Sequence, residues 1–185
     1  KGTRMIENPG KMPGTKFFPD ATLNYAENML SFGDTLCDIP ALIAHGEDGR
    51  RTVLSRADLR DKVLRLAGWM RARGVIKGDR VAGYVSNSEA ALIAMLASAS
   101  LGAIFSSCSP DFGITGVTDR FGQIEPKILI SINGYHYNGK TIDKREVVAQ
   151  LVDALPSVEA VLIDFYLDDY RDISMIRAAS VFADA

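Results

Sequence analysis

Residues 80–132 read RVAGYVSNSEAALIAMLASASLGAIFSSCSPDFGITGVTDRFGQIEPKILISI, and this stretch decides the fold. Arg80 to Val85 is a short β-type run, and Asn87 or Ser88 opens a helix that reaches about Leu101 before Gly102 closes it. Ala103 to Ser107 forms a second strand, and a helix from about Ile114 to Ile124 stops ahead of Pro126. Lys127 to Ile132 is a third strand. Strands alternating with helices at this spacing require right-handed crossovers between parallel neighbours. The expected fold class is α/β, a mostly parallel sheet with helices on both faces.

The pattern extends outward on both sides. Leu59, Val63, Leu66, Ala67 and Met70 make one apolar helical stripe, capped by Ser55 with Asp58 three residues on and ended by Gly74. Before it, Ala41 to His45 and Arg51 to Leu54 flank GEDG, a hairpin signal. Residues 1–40, rich in Gly, Pro and aromatics, read as an extended lead-in, with a short helix over Ala26 to Phe32 capped by Asn24. After the polar loop NGYHYNGK (133–140), Asp143 to Leu155 is a helix stopped by Pro156, and Val158 to Asp164 is a fourth strand. The tail from Phe165 carries a weak helical pattern near Ile173 to Val181 and no terminator. The expected organisation is therefore a lead-in over 1–40 and an α/β subdomain over 41–185 that continues past the chain end, with the native start upstream of Lys1.

Composition narrows the function classes. Across 185 residues, 47% are apolar and 24% charged, with a net charge of −2 and no basic run, so neither nucleic acid nor an anionic membrane is an expected partner. The uncharged tract Ala90 to Pro110 is long enough to span a bilayer. Its serines, with Gly102 and Pro110, mark it instead as a buried helix followed by a buried strand. No apolar leader segment opens the chain. Cys37 and Cys108 are far apart and lack metal-ligand spacing, which points to a reducing, cytoplasmic setting.

In an open parallel sheet, ligands sit beyond the carboxyl ends of the strands. Four loops occupy that position: SNSE (86–89), CSPDFG (108–113), NGYHYNGK (133–140) and DFYLDD (164–169). SNSE offers helix N-terminal N–H groups to an anion, although capping by Asn87 and Ser88 accounts for it without a ligand. The small residues of SSCSP would let a ligand approach the backbone, or simply form a tight turn. In the third loop Lys140 offers a point charge for phosphate, and Tyr135 and Tyr137 offer faces for a planar base; a solvated loop is the plainer account. Cys108 reads as a packing residue and His45 as structural. No phosphate-loop, dinucleotide, serine-hydrolase or zinc motif occurs, and two histidines with scattered acids make no metal site.

FFPDATLNYAENML (17–30), FSSCSPDFG (105–113), VTDRFGQIEPK (117–127) and GYHYNGK (134–140) together closely resemble the acetoacetyl-CoA synthetases of the adenylate-forming superfamily. The resemblance runs in order from about 17 to about 164 and implies the first part of that family's large N-terminal domain. It implies a two-step ligase using ATP, CoA and Mg²⁺. Acetoacetate attacks the α-phosphorus of ATP, and CoA thiol then displaces AMP. The family's Ser/Thr/Gly-rich phosphate loop and its catalytic lysine are not in this sequence, so no catalytic and no metal-binding residue is expected here. The chain alone is expected to be inactive and to bind none of these cofactors tightly, its partner being the remainder of the parent chain. By motif position the resemblance assigns Tyr137, Asn138, Gly139 and Lys140 to the loop that meets the CoA phosphates, with Lys140 and Tyr137 where acetyl-CoA synthetases carry two arginines. Ser107 falls beside the CoA pantetheine or adenine, while Asp119 and Arg120 fix the following helix. A ligase for another short acyl acid and a non-catalytic α/β binding module are the alternatives.

Overall fold

The computed structural model describes residues 2–33 and 36–185. In chain order the elements are β1 (Ile6–Glu7), β2 (Lys16–Phe17), α1 (Tyr25–Leu30), β3 (Pro40–His45), β4 (Arg51–Ser55) and α2 (Arg56–Ala72). Then follow β5 (Arg80–Tyr84), α3 (Glu89–Ser100), β6 (Ile104–Cys108), α4 (Ile114–Ile124) and β7 (Ile128–Ile132). The rest comprises β8 (Gly134–Tyr137), β9 (Lys140–Asp143), α5 (Arg145–Ala154), β10 (Ala160–Asp164) and β11 (Ala179–Val181).

Five of these strands form one parallel sheet in the order β11-β10-β7-β5-β6. Both faces are covered, which is why β7, ILISI, is buried at every residue. Alternation then sorts its side chains. Ile128, Ile130 and Ile132 join the core under α2 and α3, and Leu129 joins the core under α4 and α5. The expected stripe on α2 is buried throughout. Ser55 and Asp58 form a reciprocal capping box, with Asp58 N–H donating to Ser55 Oγ at 3.1 Å and Ser55 N–H to Asp58 Oδ2 at 3.1 Å. Arg80 closes the other end of a helix: its guanidinium donates to the terminal carbonyls of α4, Ile124 and Glu125.

The lead-in is tied to this body by Asn24. Its Oδ1 accepts from Glu27 N–H at 3.1 Å, capping α1, while its Nδ2 donates to Ser100 O at 3.0 Å at the end of α3. Two expectations fail. Ile173 to Val181 is not helical; after irregular backbone, Ala179–Val181 pairs in parallel with β10 and extends the sheet, because ladder bonds along an open edge outweigh a weak local helical preference. NGYHYNGK is not a solvated loop but the larger part of a β-hairpin, Tyr135 facing Ile142 and Tyr137 facing Lys140. Its turn places Asn138 at φ 49° and Gly139 at φ 72°, the left-handed pair that a two-residue hairpin demands.

Candidate functional site

The order β6-β5-β7-β10-β11 reverses direction at β5: the chain moves to β6 on one side, then crosses back to β7 on the other. Crevices form beyond the carboxyl ends of strands at such a reversal. A cleft of about 450 Å³ lies there. Val85, Ser86 and Asn87 follow β5, Ser107 and Cys108 end β6 with Ser109 to Asp111 in the turn after it, and Tyr135 to Tyr137 come from the β8–β9 hairpin. His45 at the end of β3, Gly46 and Glu47 of the β3–β4 turn, Ala91 of α3 and Tyr166 from the loop after β10 complete the wall.

The turn after β6 is held from beneath and from the side. Tyr84, fully buried, shares its hydroxyl proton between Pro110 O (2.8 Å) and Phe112 O (2.9 Å). Burial pushes the Tyr84 phenol up to about 12. Tyr135 OH donates to Asp111 Oδ1, and Ser109 Oγ donates to Asp111 Oδ2 at 3.0 Å. Burial first, and then this bond to a carboxylate, raise the Tyr135 phenol above its ordinary range. Both tyrosines therefore stay protonated and act as donors at neutral pH.

The two hairpin tips meet over the cleft. Asn138 N–H donates to Glu47 Oε2 at 2.8 Å, and His136 Nε2 stands 3.8 Å from Asp48 Oδ2. The Arg50 backbone N–H holds the Asp48 carboxyl below its usual value, and the Arg50 guanidinium lies 4.9 Å over the Tyr166 ring. Gly134 has no room for a side chain, since a Cβ would strike Ile142 O and the Leu167 side chain.

At the start of α3, Ser88 occupies the N-cap position without accepting a cap bond. Among the described residues its Oγ and that of Ser86 are buried without a hydrogen-bond partner. Capping by Asn87 and Ser88 therefore does not account for SNSE. Of the two residues, Ser86 lines the cleft and Ser88 does not.

The five residues assigned by resemblance part company. Ser107 lines the cleft and is exposed, and Tyr137 lines it from the rim. Asn138 and Gly139 are the hairpin tip, and Lys140 stands exposed at the head of β9, outside the lining. Cys108 is buried, as a packing residue should be. His45, expected to be structural, lines the cleft, and Glu47 went unread because nothing in GEDG says that its hairpin leans over the sheet. Among the described residues no group of three His, Cys, Asp or Glu could hold a metal ion. No helix among them is long and apolar enough to cross a membrane.

The sequence model of the family described as AMP-binding enzyme matches residues 32–181, most of the chain. The chain belongs to the AMP-binding enzyme family. Within it, the acetoacetyl-CoA synthetase of Macaca fascicularis is 43% identical over 171 residues, covering 91% of this chain and 25% of that protein. The acetoacetyl-coenzyme A synthetase of Rhizobium meliloti (strain 1021) is 45% identical over 157 residues, covering 83% of this chain and 23% of that protein. The malonamoyl-CoA synthetase of Penicillium aethiopicum is 43% identical over 154 residues, covering 82% of this chain and 21% of that protein. The solved structure of acetoacetyl-CoA synthetase from Streptomyces lividans superposes with a TM-score of 0.89 at 39% identity, covering 99% of this chain and 28% of that one. The chain thus spans about a quarter of the length of the curated relatives it matches.

Proposed function

We propose that this chain forms the opening part of the large N-terminal domain of an ATP-dependent acid–thiol ligase that converts acetoacetate and CoA to acetoacetyl-CoA through an acyl-adenylate. In this reading residues 1–40 are the lead-in and 41–185 the beginning of the α/β subdomain. The observation that carries it is the coincidence of two facts. The stretches that resemble acetoacetyl-CoA synthetases, FSSCSPDFG and GYHYNGK, are two walls of the cleft at the sheet's reversal, and relatives bearing that name are 43–45% identical to the chain over 157–171 aligned residues. The malonamoyl-CoA synthetase at 43% identity favours a second reading, a ligase for another short acyl acid, at the same reaction class.

The residues here serve the thiol half of the reaction. Activation makes acyl transfer possible because AMP leaves far more readily than a carboxylate oxygen, and the thiol must then be held against the adenylate. Ser107 is small enough for the pantetheine arm or adenine to lie against the backbone. Tyr137 offers a ring face to the base, and Lys140 a point charge to the phosphates. Glu47 opposes this, since its carboxylate already takes the Asn138 N–H; a phosphate reaching the tip must displace it. The 185-residue chain alone is proposed to be inactive and to bind ATP, CoA and Mg²⁺ weakly at most. The free cysteines favour a cytoplasmic setting.

The test is Lys140→Ala in the full ligase polypeptide that carries this chain. The KM for CoA should rise about tenfold, the effect of losing one charge-assisted contact. Pyrophosphate exchange, which needs no CoA, should be retained. An equal loss of exchange and thioester formation would overturn the assignment of this loop.

A further inference from the structure

We infer that Asp111 is a positioning residue for the cleft, bonded by Tyr135 on one side and Ser109 on the other so that the turn after β6 and the β8–β9 hairpin keep a fixed separation. The inference rests on the reading of this cleft as the CoA side of a ligase.

The turn over residues 109–113 and the hairpin over 134–143 belong to different parts of the chain, and each forms one wall of the cleft. Strand pairing does not join them: β8 pairs with β9, and β6 pairs with β5. Tyr84 holds the turn to β5 through Pro110 O and Phe112 O, which fixes its height above the sheet but not its distance from the hairpin. Among the described residues one side-chain hydrogen bond spans the two walls, Tyr135 OH to Asp111 Oδ1, from a ring that is itself buried. The second carboxylate oxygen takes Ser109 Oγ at 3.0 Å, and Ser109 Oγ accepts Asp111 N–H at 3.3 Å, so the carboxylate is oriented before Tyr135 reaches it. A hydrogen bond to an ionised acceptor is roughly twice as strong as a neutral one, and a carboxylate held by two donors has little freedom to swing. Lys144 Nζ stands 5.7 Å over the Tyr135 ring and steadies the donor. Asp111 touches no reacting atom in this arrangement; it acts through the wall it holds.

The experiment pairs two measurements. In the full ligase polypeptide, Tyr135→Phe removes only the donor hydroxyl, and the KM for CoA should rise about fivefold while kcat at saturating CoA changes less than about twofold, the range expected for one charge-assisted bond that a mobile wall can remake on binding. Asp111→Asn keeps an acceptor for Tyr135 and should raise KM less than Asp111→Ala does. In the 185-residue chain, Tyr135→Phe should speed hydrogen exchange at the Phe112 amide, which bonds Ser109 O at 3.2 Å. Unchanged exchange at Phe112, or an unchanged KM in Tyr135→Phe where Lys140→Ala raises it, overturns the inference. If Lys140→Ala also leaves the KM for CoA unchanged, the ligase reading of this cleft fails instead, and the exchange result alone decides whether Asp111 holds the walls together.

Discussion

Removing the side-chain amide of Asn133 should cost this protein a large share of its stability. Asn133 is fully buried immediately after β7, where its Nδ2 donates to Leu167 O at 2.6 Å and to Tyr170 O at 2.8 Å. Its Oδ1 accepts Leu167 N–H at 3.0 Å. One side chain thereby docks the loop after β10, including cleft-lining Tyr166, onto the end of the neighbouring strand. Three bonds at about 1 kcal/mol each, with a further 1 kcal/mol or so for the Leu167 N–H left buried, put Asn133→Ala near 4 kcal/mol. With a slope of about 2 kcal/mol per molar urea, the unfolding midpoint should fall by about 2 M, read by circular dichroism. Asn133→Asp separates donor loss from a simple cavity. It keeps the acceptor for Leu167 N–H but points a carboxylate at two carbonyl oxygens, so at pH 7.5 it should be no better than alanine. Lowering the pH should recover part of the loss as the acid protonates and donates to one carbonyl. A cost below about 1 kcal/mol for Asn133→Ala, or an Asp variant milder than Ala at pH 7.5, would refute the three-bond account.

Two further outcomes follow from local chemistry. Ser55→Ala removes the acceptor for Asp58 N–H at the start of α2 and should cost about 1 kcal/mol in urea unfolding, and an unchanged midpoint would show the capping box to be idle. Burial at the end of β10, reinforced by Glu89, pushes the Asp164 carboxyl up to about 6. The folded state therefore holds this proton more tightly than the unfolded chain, whose value is near 4, and stability falls as pH rises from about 4 to about 6. Asp164→Asn should flatten that stretch of the pH profile and stabilise the protein at pH 7.5 by up to about 3 kcal/mol; a pH profile parallel to wild type would contradict it.

Most of the strand–helix succession was legible because each signal is local. The α2 stripe, the Ser55 box, Asn24 as a cap and the stop of α4 before Pro126 all act within a few residues of themselves. Tyr135 and Tyr137 were offered as faces for a planar base; both line the cleft, but Tyr135 is buried with its hydroxyl on Asp111. The Asn138-Gly139 pair was a hairpin signal in plain view, although its polar neighbours masked the strands around it. Asn133 gave no sign of its role. Its partners lie 34 and 37 residues away in a stretch that follows no period.

By itself, then, the sequence determined the class of sheet, the family and which loops follow the carboxyl ends of the strands, since periodicity, caps and short motifs are properties of neighbouring residues. Only the tertiary structure decided which loops share a cleft. Strand order brings Ser107 and Tyr137 to one cleft and tilts Glu47 onto the Asn138 tip, and among the described residues the Ser86 and Ser88 hydroxyls find no partner. Those contacts depend on packing between segments that the chain order keeps apart, and no local preference encodes a distance across the sheet.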